Sequence, residues 1–264
     1  MSIEIMENSK EMRSQTYIIE LSGLSVGYKK GSAVISGIDL KLEKGTVAAL
    51  IGANGSGKST LLKTLIGELK PLAGTVMLDG RPMESYSRKE RAKSIAILMT
   101  DRVSPGFMTA KEVVALGRYP YTDITGRLSP ADEEAMEKAL RSLRLKELSD
   151  RRFNTLSDGQ KQLVLLAKAV CQEPELLIMD EPASFLDINY KLELMRMVKE
   201  LSAKGVTVVM SVHEPELARE IPDLLVCIHG GKVVRTGAPE EIFTEKILGE
   251  IYETEDLGLY KKYL

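Results

Sequence analysis

Short apolar runs alternate along the chain with breaks rich in glycine, proline and charge, and the runs carry two periods. Tyr17–Val26 reads as a strand, followed by Gly27-Tyr28 and the polar turn Lys29-Lys30-Gly31-Ser32. Ala33–Leu42 reads as a second strand, ended by the turn Glu43-Lys44-Gly45. These two early antiparallel strands precede Thr46-Val47-Ala48-Ala49-Leu50-Ile51, an apolar run with the character of a buried strand. Further on, Leu61, Leu62, Leu65, Ile66 and Leu69 recur at helical spacing. A break at 70–74 leads to the strand Thr75–Leu78 with an Asp79-Gly80 turn, a charged helix Arg88–Lys93 and the strand Ser94–Met99.

From Thr109 to Arg152 the period is helical, with a loop at Gly117–Arg127. Thr109 is placed to cap a first helix, and Ser129-Pro130 has the cap-then-proline order that opens a second. Ala135, Met136, Ala139, Leu140 and Leu143 then share one face. Another helix follows Leu156–Gln160 and ends at Glu173-Pro174, and Leu176–Glu181 is a strand that runs into two carboxylates. A helix near Asn189–Ala203, a strand Val206–Met210 and a hairpin-like pair, Leu224–Ile228 and Lys232–Arg235, complete the pattern. Residues 1–16 are polar and without period, and read as a leader. Strands and helices alternating after an antiparallel start predict an α/β fold with a compact helical insertion.

At 264 residues the chain suits one large α/β unit with an inserted subdomain. The net charge of −2 offers no electrostatic case for nucleic acid. Cys171 and Cys227 lie far apart among apolar residues and read as buried thiols of a reducing compartment. With no apolar run of transmembrane length and no signal-peptide pattern, the expected location is cytoplasmic, and any membrane role comes through a partner.

The chemistry enters at Gly52-Ala53-Asn54-Gly55-Ser56-Gly57-Lys58-Ser59-Thr60, which fits the phosphate-loop pattern G-x-x-x-x-G-K-[ST]. It sits between a strand and a helix, as that chemistry requires. The glycines turn backbone N–H groups toward a polyphosphate, and the helix N-terminus adds positive potential. Lys58 reaches the β- and γ-phosphates, and Ser59 is the Mg²⁺ ligand. A glycine-rich turn before an ordinary helix is the bland alternative. Opposite such a loop an enzyme needs carboxylates, and Asp180-Glu181 ends an apolar strand: Asp180 for Mg²⁺, Glu181 as general base toward water.

Leu156-Ser157-Asp158-Gly159-Gln160 alone is a serine-capped helix start. In this order and company it resembles the signature of ATP-binding-cassette (ABC) ATPases, and the resemblance runs from about Tyr17 over nearly the whole chain. It implies a phosphate-loop core with an antiparallel β-subdomain and a helical subdomain near 100–155 within a domain of residues 17–264. It also implies that Tyr28 stacks on adenine, that Ser184-Phe185-Leu186-Asp187 lines a dimer seam, and that His213 senses the γ-phosphate. The implied assembly is a head-to-tail homodimer in which one chain's signature closes the other's phosphate loop, so that ATP joins the halves and hydrolysis parts them. Thr109–Pro120 and Gly126-Arg127-Leu128-Ser129 further resemble importer ATPases for iron–siderophore, haem and cobalamin uptake. Those work with ATP, Mg²⁺, two permease subunits and, indirectly, a substrate-binding protein.

Two positions depart from the family pattern. Thr100 and Asp101 stand where a coupling-loop glutamine is usual, and Asp158 stands where the signature has glycine. Two readings of this loop stand: Asp101 is a solvated loop charge pairing with Arg102, or Asp101, or Thr100 through a water, takes over the sensing role of that glutamine. Asp158 must point away from the γ-phosphate or be compensated. An exporter ATPase, a soluble ABC ATPase acting on ribosomes or DNA, and a non-hydrolysing regulator remain the competing readings.

Overall fold

The computed structural model describes residues 17–252 except 30, 100–104, 124 and 185. The leader read at residues 1–16 and the coupling-loop residues Thr100 and Asp101 therefore lie outside the described residues. The strands are β1 (Tyr17–Val26), β2 (Ile35–Glu43), β3 (Val47–Ile51), β4 (Ala73–Leu78), β5 (Arg81–Pro82), β6 (Ile95–Leu98), β7 (Leu176–Met179), β8 (Thr207–Ser211), β9 (Leu224–His229) and β10 (Lys232–Gly237). The helices are α1 (Lys58–Leu65), α2 (Arg88–Ser94), α3 (Ala110–Ala115), α4 (Pro130–Ser142), α5 (Asp158–Cys171), α6 (Ile188–Ala203), α7 (Pro215–Glu220), α8 (Pro239–Ile242) and α9 (Glu245–Tyr252).

Two sheets result. β2-β1-β4-β5 is antiparallel throughout, and β10-β9-β3-β8-β7-β6 is parallel except for β10. Four of the five parallel strands bury both faces, only β6 at the edge leaving Ile97 exposed, which is why they read as continuous apolar runs rather than alternating ones. Their period of two still sorts the side chains. Ala48, Leu50, Leu176, Ile178, Val209 and Val226 join α1 and the antiparallel sheet in one core. Val47, Ala49, Leu177, Met179, Val208 and Met210 join α3, α4, α5 and α6 in the other. The large sheet is thus the middle layer of a sandwich, and everything at its C-terminal edge is held from both sides.

The helical stretch closes on itself. Ala110 and Lys111 donate backbone bonds to Arg151 and Ser149, Phe153 donates to Met108, and Asn154 Nδ2 donates to Gly106 O at 2.6 Å. Thr109 and Ser129 cap α3 and α4 as the sequence predicts, each with a reciprocal bond from the third helical residue, Glu112 and Asp132.

Some boundaries moved. α1 stops at Leu65, short of its apolar pattern, because Gly67 takes φ 74° and closes the helix with Glu68 N–H to Lys63 O and Gly67 N–H to Thr64 O. β7 ends at Met179 rather than running through Glu181, because Glu181 turns out of the strand at φ 46°. α7, α8 and α9 were missed: two are too short to show a period, and α9 lies beyond the last hairpin.

Candidate functional site

β3, β8 and β7 are parallel neighbours, so their C-terminal ends share one edge of the sheet. The phosphate loop follows β3, His213 follows β8 and Asp180-Glu181 follow β7. Such an edge is where open α/β sheets bind ligands. This placement brings the phosphate loop together with Asp180-Glu181 and His213, which lie more than a hundred residues further along the chain.

The loop is built on glycine. Gly55 and Gly57 take φ 79° and 106°, and a Cβ on Gly57 would meet Val34 and Ile35, at the start of β2, at 2.8 Å. A Cβ on Gly52 would strike the carbonyl oxygen of Ile228. Lys58, at the start of α1, is 5% exposed, and its Nζ donates to Gly52 O at 2.8 Å and Ala53 O at 3.0 Å. Burial lowers the Lys58 pKa from its ordinary value, opposed by the fields of Glu181 and Asp180. The same fields show that both carboxylates lie within electrostatic reach of the loop. Asn54 is exposed, Ser59 is half-buried in the first helical turn, and Thr60 is buried with its hydroxyl 3.4 Å from Tyr28 Oη. Tyr28 leaves 62% of its surface open beside the loop.

One hydroxyl tests whether a polyphosphate fits. Ser56 Oγ is buried and, among the described residues, has no hydrogen-bond partner. A buried unpaired hydroxyl is costly, and a phosphate oxygen is an acceptor it can use. Ser59 and Asp180 supply oxygen donors of the kind Mg²⁺ takes.

Asp180 is 9% exposed, and its Oδ1 accepts from Ser211 Oγ at 2.6 Å. The same Ser211 hydroxyl accepts from Glu181 N–H at 2.8 Å, so one side chain holds both acidic residues in place. Ser211 was missed as a site residue, and its only sequence signal was its position at the end of β8. Glu181 sits in the left-handed region, a strain of about 1–3 kcal/mol for a non-glycine residue. That turn aims its carboxylate back over the edge. Oε1 lies 2.5 Å from His213 Nε2, and Oε2 accepts from Ser184 Oγ at 3.1 Å. A carboxylate so oriented, with a histidine on one oxygen, has the chemistry to accept a proton from water.

The signature stretch caps α5. Ser157 Oγ accepts from Gln160 N–H at 3.2 Å, and Gln160 Oε1 accepts from Ser157 N–H at 3.1 Å. Leu156 is buried beneath the turn. Asp158 is exposed and pairs with Lys161 at 3.1 Å. Gly159 has no room for a Cβ, because the Tyr190 ring of α6 lies against it. Asp187 caps α6 through Asn189 and Tyr190 N–H, and Leu186 packs on the core. The signature turn and the Leu186-Asp187 turn are therefore packed together, at the starts of α5 and α6.

The family described as ABC transporter matches residues 35–184, from β2 through the phosphate loop and the signature to Ser184. The chain belongs to the ABC transporter family. As an ATP-binding subunit of that family it is an ATPase. It is 40% identical to an uncharacterised ABC transporter ATP-binding protein of Methanocaldococcus jannaschii, over 90% of this chain and 82% of the relative. It is 37% identical to the ferric enterobactin transport ATP-binding protein FepC of Escherichia coli, over 87% and 84%. It is 36% identical to the hemin import ATP-binding protein HmuV of Bordetella avium, over 84% and 87%. Among solved structures, an inward-facing transporter described as metal-chelate type superposes with a TM-score of 0.78 at 26% identity, covering 89% of this ABC subunit and 88% of that chain. CbiO1 of Clostridium perfringens, part of the transporter complex CbiONQ, gives 0.77 at 29%, covering 94% and 97%.

Proposed function

We propose that this ABC subunit drives import of an iron chelate, haem or a cobalamin-type corrinoid through partner permease subunits. The observation that carries the ATPase half is the edge where Lys58, Asp180, Glu181 and His213 converge. The import half is supported by relatives whose names specify siderophore and haem uptake. In this reading Ser59 and Asp180 hold Mg²⁺, Glu181 is the general base, His213 answers to the γ-phosphate and Tyr28 stacks on adenine. Residues 17–264 form the cassette, with a helical subdomain near 100–155. Among the described residues no helix is long and apolar enough to cross a membrane, so attachment to the membrane falls to the permease.

The subunit works as a head-to-tail homodimer in which Ser157 of one chain completes the site on the other. A helix start with free N–H groups binds the γ-phosphate only while it is present. Specific activity is therefore expected to fall on dilution. A Lys58→Ala chain mixed with a Ser157→Ala chain should regain activity, because one site of the heterodimer keeps both groups. Light scattering with activity measured over a dilution series checks this, and a dilution-independent monomer with full activity rejects it. The substrate class is tested by deleting the gene and measuring uptake of ferric siderophores, haem and corrinoids. Loss of one supports the proposal. Normal uptake of all three, with reduced efflux of some compound, means an exporter.

A further inference from the structure

We propose that Arg118 and Gln172 are positioning residues for the Ser157 end of α5: they pin the opposite end of that helix and so set where its signature turn points. The proposal rests on the reading that Ser157 acts on a second chain's nucleotide.

The last carbonyls of a helix have no partner within it. At the end of α5 the carbonyls of Cys171 and Gln172 are taken by the segment that follows α3. Arg118, 5% exposed, donates through Nη1 to Cys171 O at 2.9 Å and to Glu173 Oε2 at 2.8 Å, and through Nε to Asp132 Oδ1 of α4 at 2.8 Å. Its guanidinium carbon lies 3.7 Å from the Tyr121 ring centroid, and Tyr121 Oη donates to Gln172 O at 2.9 Å. A cation at this end also suits the helix dipole. Glu173, which leaves the helix, takes φ 52°, a conformation unusual for a side chain of its kind, with its carboxylate held by Arg118. Backbone contact reinforces the grip, since a Cβ on Gly117 would strike Lys168 O.

The other side of the junction ties α5 to the sheet. Gln172 Nε2 donates to Ala92 O at 2.5 Å and Ile95 O at 2.6 Å, and Glu175 N–H donates to Ser94 O at 3.0 Å. The C-terminal end of α5 is thus bonded at once to α3–α4 and to the joint between α2 and β6. This junction sits where β6 and β7 begin, whereas the phosphate loop sits where the parallel strands end. It therefore touches no part of the nucleotide site in its own chain. Its leverage is geometric. At ~1.5 Å per residue, 14 residues make a helix of about 21 Å, so a tilt of about 5° at one end moves the other by about 2 Å, enough to lose a hydrogen bond. A buried charge cluster adds little net stability against an apolar replacement, but it specifies one arrangement.

The test uses the full chain. Gln172→Glu is isosteric and sets a carboxylate against two carbonyl oxygens. Arg118→Lys keeps the charge and loses the fork. Tyr121→Phe removes one hydroxyl and is the mild variant, should either of the others fold poorly. Three quantities are measured: hydrolysis over a protein dilution series, affinity of dilute single chains for a fluorescent ATP analogue, and thermal midpoint. The protein concentration giving half-maximal activity is expected to rise about fivefold for Gln172→Glu and Arg118→Lys and about twofold for Tyr121→Phe, with nucleotide affinity held within about twofold. A purely structural role would lower the thermal midpoint and nucleotide affinity together without that shift, and would overturn the proposal. Ser157→Ala is the reference. If it shifts the dilution curve and the junction variants do not, the positioning proposal fails alone. If Ser157→Ala itself leaves the curve unmoved, the signature does not act across chains and both fall.

Discussion

Glu181→Gln is expected to lower steady-state ATP hydrolysis by about 10²- to 10⁴-fold, the range a general base contributes, while ATP still binds. The amide keeps the shape of the carboxylate. It can accept from Ser184 Oγ and meet His213 Nε2, so the geometry built on Ser211 survives. What it cannot do is take a proton from water. The bound nucleotide then stays intact and the ATP-joined dimer accumulates. Single-turnover hydrolysis, with size-exclusion chromatography in ATP, checks both halves. Turnover within about threefold of the parent would be under 1 kcal/mol of barrier and would remove Glu181 from the role of base. Ser211→Ala is the companion variant. It leaves Asp180 Oδ1 and Glu181 N–H each without that partner, so it should reduce hydrolysis while retaining Glu181 itself.

Lys58→Met should nearly abolish stabilisation by ATP. In the parent, ATP at a hundred times its Kd adds about 2.7 kcal/mol, which for a chain of this size is about 5–10 °C in Tm. The variant loses the one buried cation of the loop and should shift by no more than about 1–2 °C. Without nucleotide the two proteins are expected to be close in Tm, because methionine removes a desolvated ammonium and two bonds to carbonyl oxygens together. Alkaline titration separates these terms. The folded Lys58 pKa is below its unfolded value of 10.5, so the unfolded chain holds that proton more tightly. The resulting destabilisation is fully present below the lowered value and disappears as pH rises through 10.5. A Tm difference between parent and Lys58→Met that drifts in the parent's favour over that window is the expected result. A pH-independent difference would show that Lys58 carries no burial penalty in the free protein.

Much of this protein was legible in its sequence because its chemistry is local. The phosphate loop needs glycines, a lysine and a hydroxyl at fixed spacing between a strand and a helix, and all of that is written within nine consecutive residues, Gly52 to Thr60. Helix starts are equally local: Thr109, Ser129 and Ser157 cap as read, each satisfied within three residues. Buried parallel strands announce themselves as unbroken apolar runs. Where local pattern and local chain geometry competed, the geometry decided. Gly67 ended α1 before its apolar spacing did, and the left-handed turn at Glu181 cut β7 short.

Other features exist only in three dimensions. That Ser211 holds Asp180 and Glu181 together depends on β7 and β8 lying side by side, a parallel pairing that sequence order does not specify. That Asp158 pairs with Lys161 depends on which way its side chain turns at the start of α5. That Gly159 must be glycine depends on Tyr190 arriving from the next helix of the fold. The grip of Arg118 on the end of α5 reaches the carbonyl of Cys171, 53 residues on, with Gln172 reaching 80 residues back to Ala92. The sequence by itself determined where the phosphate-loop pattern, the strand-end carboxylates and the helix caps fall, because each is carried by residue type and immediate neighbours. Only the tertiary structure decided what orients them, because an orienting partner is chosen by which strands and helices become neighbours, and that is a property of packing the whole chain into two cores around one sheet.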